Sequence, residues 1–296
     1  MSSVVCRNLL PAEVPLLGPG FAEGLASGGF DLSRTWVALR DGVIVARAAW
    51  VLPPDSVGDP WLERFDLDDS PETGAALLTA AHQALGGPYP FYAVLPVAAN
   101  VAEAARLAGL VPTVERHRFR WTGPAPAAAE RAPAGGGVRA AAGAHAGDGV
   151  RAATGEEAGE LVARIPEPDV LTGSETARTV AGLDLAHNPV PWVTGPAAAW
   201  HVLDDESDGG GVAGTAGDAC WPMLVYLGVL PGAAPGARER LLAASLRALA
   251  EGGAEEVIAD VVSTRTETIA DLEAAGFHQI RARLAFEPRD RSGTVS

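Results

Sequence analysis

The most constraining feature of this sequence is a set of residues that recurs with the same spacing in its two halves. Each half ends with a glycine, a hydrophobic residue, an arginine and a phenylalanine at identical offsets: Gly109, Leu110, Arg116 and Phe119, then Gly276, Phe277, Arg283 and Phe286. Two earlier sets match in spacing and order: Arg7 and Glu13 with Arg151 and Glu157, and Trp36, Leu39 and Asp41 with Trp200, Leu203 and Asp205. Three matches in one order indicate an internal duplication, so we expect two similar domains.

A segment of low complexity separates the two halves. Residues 123–149 are mostly alanine, glycine and proline, and they show no hydrophobic period that would bury one face of a helix or strand. We therefore divide the chain into a first domain over 1–122, a linker over 123–149 and a second domain over 150–296. Both domains have an ordinary length for a unit with its own core.

The composition and charge argue against several classes of protein. Hydrophobic residues make up 48% of the chain and charged residues 20%, which is typical of a folded protein. The 37 acidic residues outnumber the 22 basic ones, all arginine, and the net charge of −15 repels nucleic acid and anionic lipid. No run reaches the roughly 20 apolar residues that span a bilayer, and the N-terminus lacks the pattern of a secretion signal. We expect a cytoplasmic protein that binds neither nucleic acid nor membrane.

The sequence also offers no pattern for a metal site or a disulfide framework. Cys6 and Cys220 are too few for a framework of disulfides. The six histidines show no pair at the spacing of zinc ligands, so we expect no bound metal.

Hydrophobic periodicity and turn residues predict the same order of elements in each half. In the second half they predict a short strand near Val150, a helix capped at Thr154, and then a hairpin, a central strand, a helix, a strand, a helix and a last strand, at residues 198–203, 212 onward, 221–230, 237–251, 257–262, 266–275 and 280–286. In the first half, elements in the corresponding order are predicted at 36–40, 43–50, 62–67, 73–85, 90–95, 101–108 and 114–121. Asp41 and Gly42 are typical of the turn in the first hairpin.

This order of elements, with its motifs, resembles the GNAT superfamily of acyltransferases. The residues that carry the resemblance are Val229-Leu230-Pro231 at the end of the central strand, the stretch from Gly236 to Leu242, and Ala274-Ala275-Gly276-Phe277 before the last strand. The resemblance covers nearly all of both halves, so the chain looks like a tandem GNAT protein. It implies an α/β (α+β) fold of two tandem domains, each a mixed, mostly antiparallel sheet flanked by helices.

The resemblance also implies a site for acetyl-CoA, or another acyl-CoA, in the second half. In GNAT proteins, amides at the end of the central strand bind the pantetheine arm, and a glycine-containing loop wraps the pyrophosphate at a helix N-terminus. The matching residues are Leu227, Gly228 and Val229 on the strand, Pro235, Gly236, Ala237 and Arg238 in the loop, and Arg265 after the next strand. The loop departs from the family pattern: it keeps one glycine, and Ala233 and Arg238 replace the usual leading and closing residues.

The corresponding loop of the first half is less suited to a cofactor. It is acidic, with carboxylates at positions 66, 68, 69 and 72. These charges repel a pyrophosphate, whereas near the start of a helix they are good capping groups. We therefore expect the second half to bind the acyl-CoA.

The catalytic groups that the family often uses are not matched. The position of the tyrosine that protonates the departing thiolate holds Leu272 in the second half and Ala105 in the first. Tyr226 on the central strand is the substitute that we select for proton transfer, although a strand tyrosine also commonly packs in a core.

Three further residues are candidates for binding the acceptor. Asp184 and His187 lie in the region that roofs the acceptor pocket in the GNAT layout, although a solvated helix end also accounts for them. His201 lies on a strand before the central one, where it faces either a site or solvent.

The sequence therefore predicts an acetyl-CoA-dependent N-acetyltransferase that acts on a small amine and has its active site in the second half. The alternative is a GNAT-fold protein that has lost acyl transfer and serves as a binding module or partner subunit, or that uses the pocket for other chemistry. The duplication fits either a monomer with pseudo-two-fold halves or a homodimer.

Overall fold

A computed structural model describes residues 3–26, 30–52, 60–123, 149–172, 199–203, 210–216 and 222–289. The chain forms two compact units, which we call unit 1 and unit 2. Unit 1 comprises Met1–Glu115 with Arg283–Ser296, and unit 2 comprises Arg116–Ala282.

Unit 1 is a sheet with helices packed on it. Its strands, in the order of their pairing, are β1 (Val4–Asn8), β2 (Thr35–Arg40), β3 (Val43–Val51), β4 (Trp61–Leu67), β5 (Phe91–Val94) and the last part of β13 (Phe277–Pro288). All pairs are antiparallel except β4 with β5. Its helices are two 3-10 helices (Pro11–Leu17 and Leu32–Arg34), α1 (Pro19–Ala26), α2 (Pro71–Leu85) and α3 (Ala99–Leu107).

Unit 2 repeats this plan. Its strands, in the order of their pairing, are the last part of β6 (Leu110–Thr122), β12 (Glu256–Val262), β11 (Met223–Val229), β10 (Gly211–Ala216), β9 (Ala199–Leu203) and β7 (Val150–Ala153). A short strand, β8 (Val170–Leu171), also pairs with β11. The described helices are α4 (Gly155–Arg164), α5 (Ala237–Glu251) and α6 (Thr266–Ala274). The predicted mixed, mostly antiparallel sheets flanked by helices are confirmed.

The residue sets that recur in the sequence make the same contacts in the two units. Arg7 on β1 pairs with Glu13 in the following 3-10 helix, and Arg151 on β7 pairs with Glu157 in α4. Gly109 and Gly276 both have a left-handed φ, of 85° and 92°, which favours glycine at the entry to the last strand of each half. The duplicated spacing thus reflects a duplicated local structure.

In the structure, parts of two strands, β6 and β13, pair within the other unit from the one that a division at the linker would give them. Residues 116–122 of β6 pair with β12 inside unit 2, and residues 283–286 of β13 pair with β5 inside unit 1. Each strand also buries a phenylalanine in that unit: Phe119 is fully buried in the unit 2 core, and Phe286 stacks on Phe91 with ring centroids 5.7 Å apart. The C-terminal part of each half's last strand therefore belongs to the unit of the other half. Residues 124–148 of the predicted linker lie outside the described residues.

Candidate functional site

A cleft of about 600 Å³ opens at the end of β11 in unit 2. Three parts of the chain line it: residues 166, 167 and 169 before β8, residues 229–239 from the end of β11 into α5, and Arg265 and Glu267 at the start of α6. This volume lies within the usual range for a small-molecule site.

The cleft exists because two neighbouring parallel strands separate. β11 and β12 pair where Met223 lies opposite Ile258, near the start of β11. The pairing of β11 with β10 skips Val225, which forms a β-bulge and turns the rest of the strand. Beyond that point β8 lies against β11. Thr172, directly after β8, links β11 to β12: its hydroxyl donates to the Leu224 carbonyl of β11 (2.5 Å) and accepts from the Asp260 amide of β12 (2.9 Å).

The loop after β11 leads into an α-helix that has no side-chain cap. Gly236 is the N-cap of α5, with a left-handed φ of 79°, and it has no side chain to accept from the first-turn amides. The first-turn amides of an α-helix have no intrahelical acceptor, and they carry the positive end of the helix dipole. This end of the cleft therefore suits an anionic group.

The equivalent helix of unit 1 is capped by its own residues. The Ser70 hydroxyl accepts from the Thr73 amide at the start of α2. Asp69 accepts from the Ser70 amide (2.7 Å) and pairs with Arg40 (2.7 Å), which together lower the pKa of Asp69. The acidic loop thus acts as capping chemistry, and a phosphate group would have to displace it.

Arg238 lines the cleft, and carboxylates surround its guanidinium. Its Nε donates to Asp271 (2.5 Å), its Nη1 lies 3.5 Å from Asp169, and its Nη2 lies 3.5 Å from Glu267. Arg265, the other arginine on the lining, pairs with Glu167. Both guanidinium groups therefore already have anionic partners.

Asp169 is the buried acid of this site, with 8% of its side chain exposed. Besides its contact with Arg238, its carboxylate accepts from the Thr268 hydroxyl (3.1 Å), and it lies near the backbone of Val229 at the end of β11. Burial raises the pKa of Asp169 above its ordinary value, and these partners offset only part of that effect.

Most of the predicted cofactor residues come together at the cleft. Val229, Pro235, Gly236, Ala237, Arg238 and Arg265 all line it. Leu227 and Gly228 do not line it. The Leu227 carbonyl accepts from the Asp169 amide (2.8 Å), and Gly228 pairs with Val212 of β10. Leu227 also pairs with Val170 of β8. The predicted role of Leu227 and Gly228 in orienting a thioester therefore stays a prediction that their position off the lining does not support.

The remaining predicted site residues do not line the cleft. Tyr226 is buried on the face of the sheet that packs against α4, and its hydroxyl has no hydrogen-bond partner among the described residues. Burial, and to a smaller extent the charge of Asp169, raises the pKa of Tyr226 above its ordinary value. His201 lies opposite Ala213, on the face that packs against α5, and burial lowers its pKa. Asp184 and His187 lie outside the described residues.

Asp169 and Thr268 are among the residues of the site that sequence reasoning missed. Asp169 precedes a strand of only two residues, which is too short to show a hydrophobic period. Thr268 reaches Asp169 from α6, 99 residues further along the chain. The tight Pro-Glu-Pro-Asp sequence at 166–169 is the only local signal that this segment is held in a fixed conformation.

In the ranges that the structure describes, no group of three or more His, Cys, Asp or Glu side chains is arranged to hold a metal ion. Among the same residues, no helix combines the length and hydropathy needed to cross a membrane.

Known structures of similar fold cover nearly the whole chain. A GCN5-related N-acetyltransferase from Sphaerobacter thermophilus has a TM-score of 0.56 and 15% identity, with 97% of this chain and 96% of that chain covered. A tandem GNAT protein from the clavulanic acid biosynthesis pathway has a TM-score of 0.45 and 15% identity, covering 98% and 100%. A GCN5-related N-acetyltransferase from Kribbella flavida has 0.49 and 14%, covering 84% and 90%. Neither a protein-family model nor a curated protein sequence matches the chain.

The chain therefore has the tandem GNAT fold, as its sequence motifs indicate. The Sphaerobacter structure carries this assignment, because it superposes along both halves of the chain. At this level of sequence identity the similarity defines the fold, and the chemistry has to be argued from the cleft itself.

Proposed function

We propose that unit 2 binds an acyl-CoA in the cleft at the end of β11 and transfers the acyl group to a small amine. The observation that carries this proposal is the contrast between two equivalent helices. The N-terminus of α5 is uncapped and opens on a cleft of about 600 Å³, whereas that of α2 is capped by Ser70 and flanked by Asp69.

The two ends of the cleft suit different parts of a CoA thioester. At the loop end, Gly236 and the first turn of α5 offer backbone donors to a diphosphate, and Arg238 and Arg265 stand beside them. At the strand end, the Val229 amide is our candidate donor for a thioester carbonyl, and Asp169 lines the cleft beside it. A CoA thioester supplies an activated acyl group, and the chain supplies the donors that position it.

The charge of the lining favours an amine as the other substrate. The lining carries four carboxylates, Glu167, Asp169, Glu239 and Glu267, against two arginines, which leaves two negative charges. A cationic ammonium group is attracted to such a cleft. Asp184 and His187 remain our candidates for contacts with the acceptor, whereas His201, the third candidate, lies on the face that packs against α5 and does not line the cleft.

Acyl transfer forms a C–N bond, breaks a C–S bond and moves a proton from the amine to the thiol. Tyr226 remains our candidate for handling that proton, through water, because its side chain does not line the cleft. Burial raises the pKa of its hydroxyl, so we expect it to be protonated when the thiolate leaves, to donate that proton and to regain one from the amine.

Binding of acetyl-CoA by calorimetry is the direct test. We expect wild-type protein to bind, Arg238→Gln to bind more weakly, and Arg40→Gln to bind as the wild type does. Arg40 is the matched control, because from the end of β2 its guanidinium contacts Asp69 and Thr73 at the start of the equivalent helix in unit 1. Absence of binding at millimolar acetyl-CoA, or equal weakening by both substitutions, contradicts the proposal. Thiol release with a panel of amines then identifies the acceptor, and Tyr226→Phe tests the proton donor.

A second function is favoured by the position of Asp169 on the lining of the cleft, 3.5 Å from Arg238. A GNAT-fold protein that binds CoA or another anion without transferring an acyl group would tolerate a carboxylate there. The two functions are separable, because a binding protein gains thermal stability with CoA as mass action requires and releases no thiol with any amine.

A further inference from the structure

The carboxylate of Asp169 contacts the guanidinium that an anionic ligand of this cleft would use. It lies 3.5 Å from Nη1 of Arg238 and accepts from the Thr268 hydroxyl (3.1 Å). These donors come from two separate elements, α5 and α6. Their convergence on one buried carboxylate marks a built anion site.

The backbone that carries Asp169 holds this carboxylate in place. The Asp169 amide donates to the Leu227 carbonyl (2.8 Å), and the Thr172 amide donates to the Val225 carbonyl (2.9 Å). The segment is thus bonded to β11 on both sides of β8. An incoming ligand can therefore gain the donors when the side chain of Asp169 rotates away, and it does not require the segment to leave the sheet.

One donor hydrogen serves one strong acceptor at a time. While the Asp169 carboxylate stays 3.5 Å from Nη1 of Arg238, it competes with an incoming anion for this donor. The Asp169 charge also neutralises Arg238, together with Asp271 and Glu267. An anion that enters the cleft meets this negative charge before it meets the guanidinium.

We propose that Asp169 is an internal ligand of this cleft, which competes with incoming anionic ligands and must be displaced before an acyl-CoA binds productively. This inference rests on the proposed function for the identity of the ligand, whereas the competition itself applies to any anion of the diphosphate class. Because of this competition, an anion occupies the cleft only if it binds tightly enough to displace the Asp169 side chain.

Calorimetric titration of four proteins with CoA and with inorganic pyrophosphate tests the inference. Asp169→Asn removes the charge with little change of shape, and we expect it to lower the Kd for both ligands about tenfold, equivalent to roughly 1.4 kcal/mol. Glu239→Gln is the matched control, since it removes the same charge from the lining. We expect a change of less than about threefold for this control, because screening in solvent weakens an unpaired surface charge. Thr268→Val removes one partner of Asp169 and should give an intermediate gain.

The results separate this inference from the proposed function. Equal affinities of wild type and Asp169→Asn, or equal gains in Asp169→Asn and Glu239→Gln, overturn the internal ligand while leaving acyl-CoA binding intact. Tighter pyrophosphate binding by Asp169→Asn without any CoA binding supports the internal ligand and overturns the proposed function. Failure of every variant to bind either anion overturns both. If Asp169→Asn does not fold, Thr268→Val decides: a gain over Glu239→Gln supports the inference, and no gain overturns it.

Discussion

Replacing Phe286 with alanine tests which unit the last strand stabilises. Phe286 is 3% exposed, lies opposite Phe91 in the register of β13 with β5, and stacks on that ring at 5.7 Å. Phe91 in turn packs edge-on against Phe65 at 5.7 Å. The substitution therefore opens a cavity in the core of unit 1, although the residue is close to the C-terminus of the chain.

The expected loss of stability is large enough for an experiment to assign it to one of the two units. Truncating a buried phenylalanine costs about 3–5 kcal/mol, which corresponds to roughly a 100-fold to few-thousand-fold rise in the population of open states. Hydrogen–deuterium exchange with mass spectrometry resolves where this occurs. We expect faster exchange in α2 and β4 of unit 1, with α5 and β12 of unit 2 unchanged.

Phe119→Ala is the matched control, because Phe119 holds the equivalent position in the repeat and is fully buried in the unit 2 core. We expect it to accelerate exchange in α5 and β12 and to spare α2. The reasoning is refuted if Phe286→Ala accelerates exchange in α5 while α2 stays protected, since the last strand would then stabilise the half from which it comes.

Gly236→Ala should lower the free energy of unfolding, measured in urea, by about 1–2 kcal/mol, because a left-handed φ of 79° is unfavourable for a residue with a side chain. Gly155→Ala, at the first helical position of α4, is the control and should be neutral or stabilising. Equal effects of the two substitutions would contradict this prediction. Burial lowers the pKa of His82 from 6.5 to about 4, so its contribution to stability is present above pH 6.5 and is lost as the pH falls through the folded value. His82→Leu should flatten this part of the stability profile, and an unchanged slope would exclude His82 as its source. Gly214→Ala places a methyl group 2.3 Å from the Trp200 ring and should cost about 1–3 kcal/mol; a melting temperature equal to that of the wild type would disprove this packing.

The order of elements and the duplication follow from local patterns in the sequence. The helix at Ala237–Glu251 and the strand at Glu256–Val262 have bounds close to the predicted ones, because their hydrophobic residues recur at the period of the element. The hairpin turn at Asp41 and Gly42 is also confirmed, with φ of 52° and 81°. These features depend on neighbours within one or two turns of the chain.

The loop that opens the cleft was predictable as well. Gly236 marks the start of α5 by its residue type, and the resemblance to GNAT proteins places the loop at the end of the central strand. Arg238 was predicted to lie beside it, and it does, but its three acidic partners come from Asp169, Glu267 and Asp271 in other elements. The sequence alone therefore predicts the position of the charge, and the contacts that neutralise it depend on the packing of α6 and β8.

The sequence by itself determined the repeated order of strands and helices, since periodicity, caps and turns act over a few residues. Only the tertiary structure decided which sheet receives each last strand, because Phe119 and Phe286 have the same local pattern and differ in the edge that they join. It also decided the state of the cleft. Asp169 reaches Arg238 and Thr268 only once β8 lies where β11 and β12 separate, and these contacts join segments that are distant in the chain.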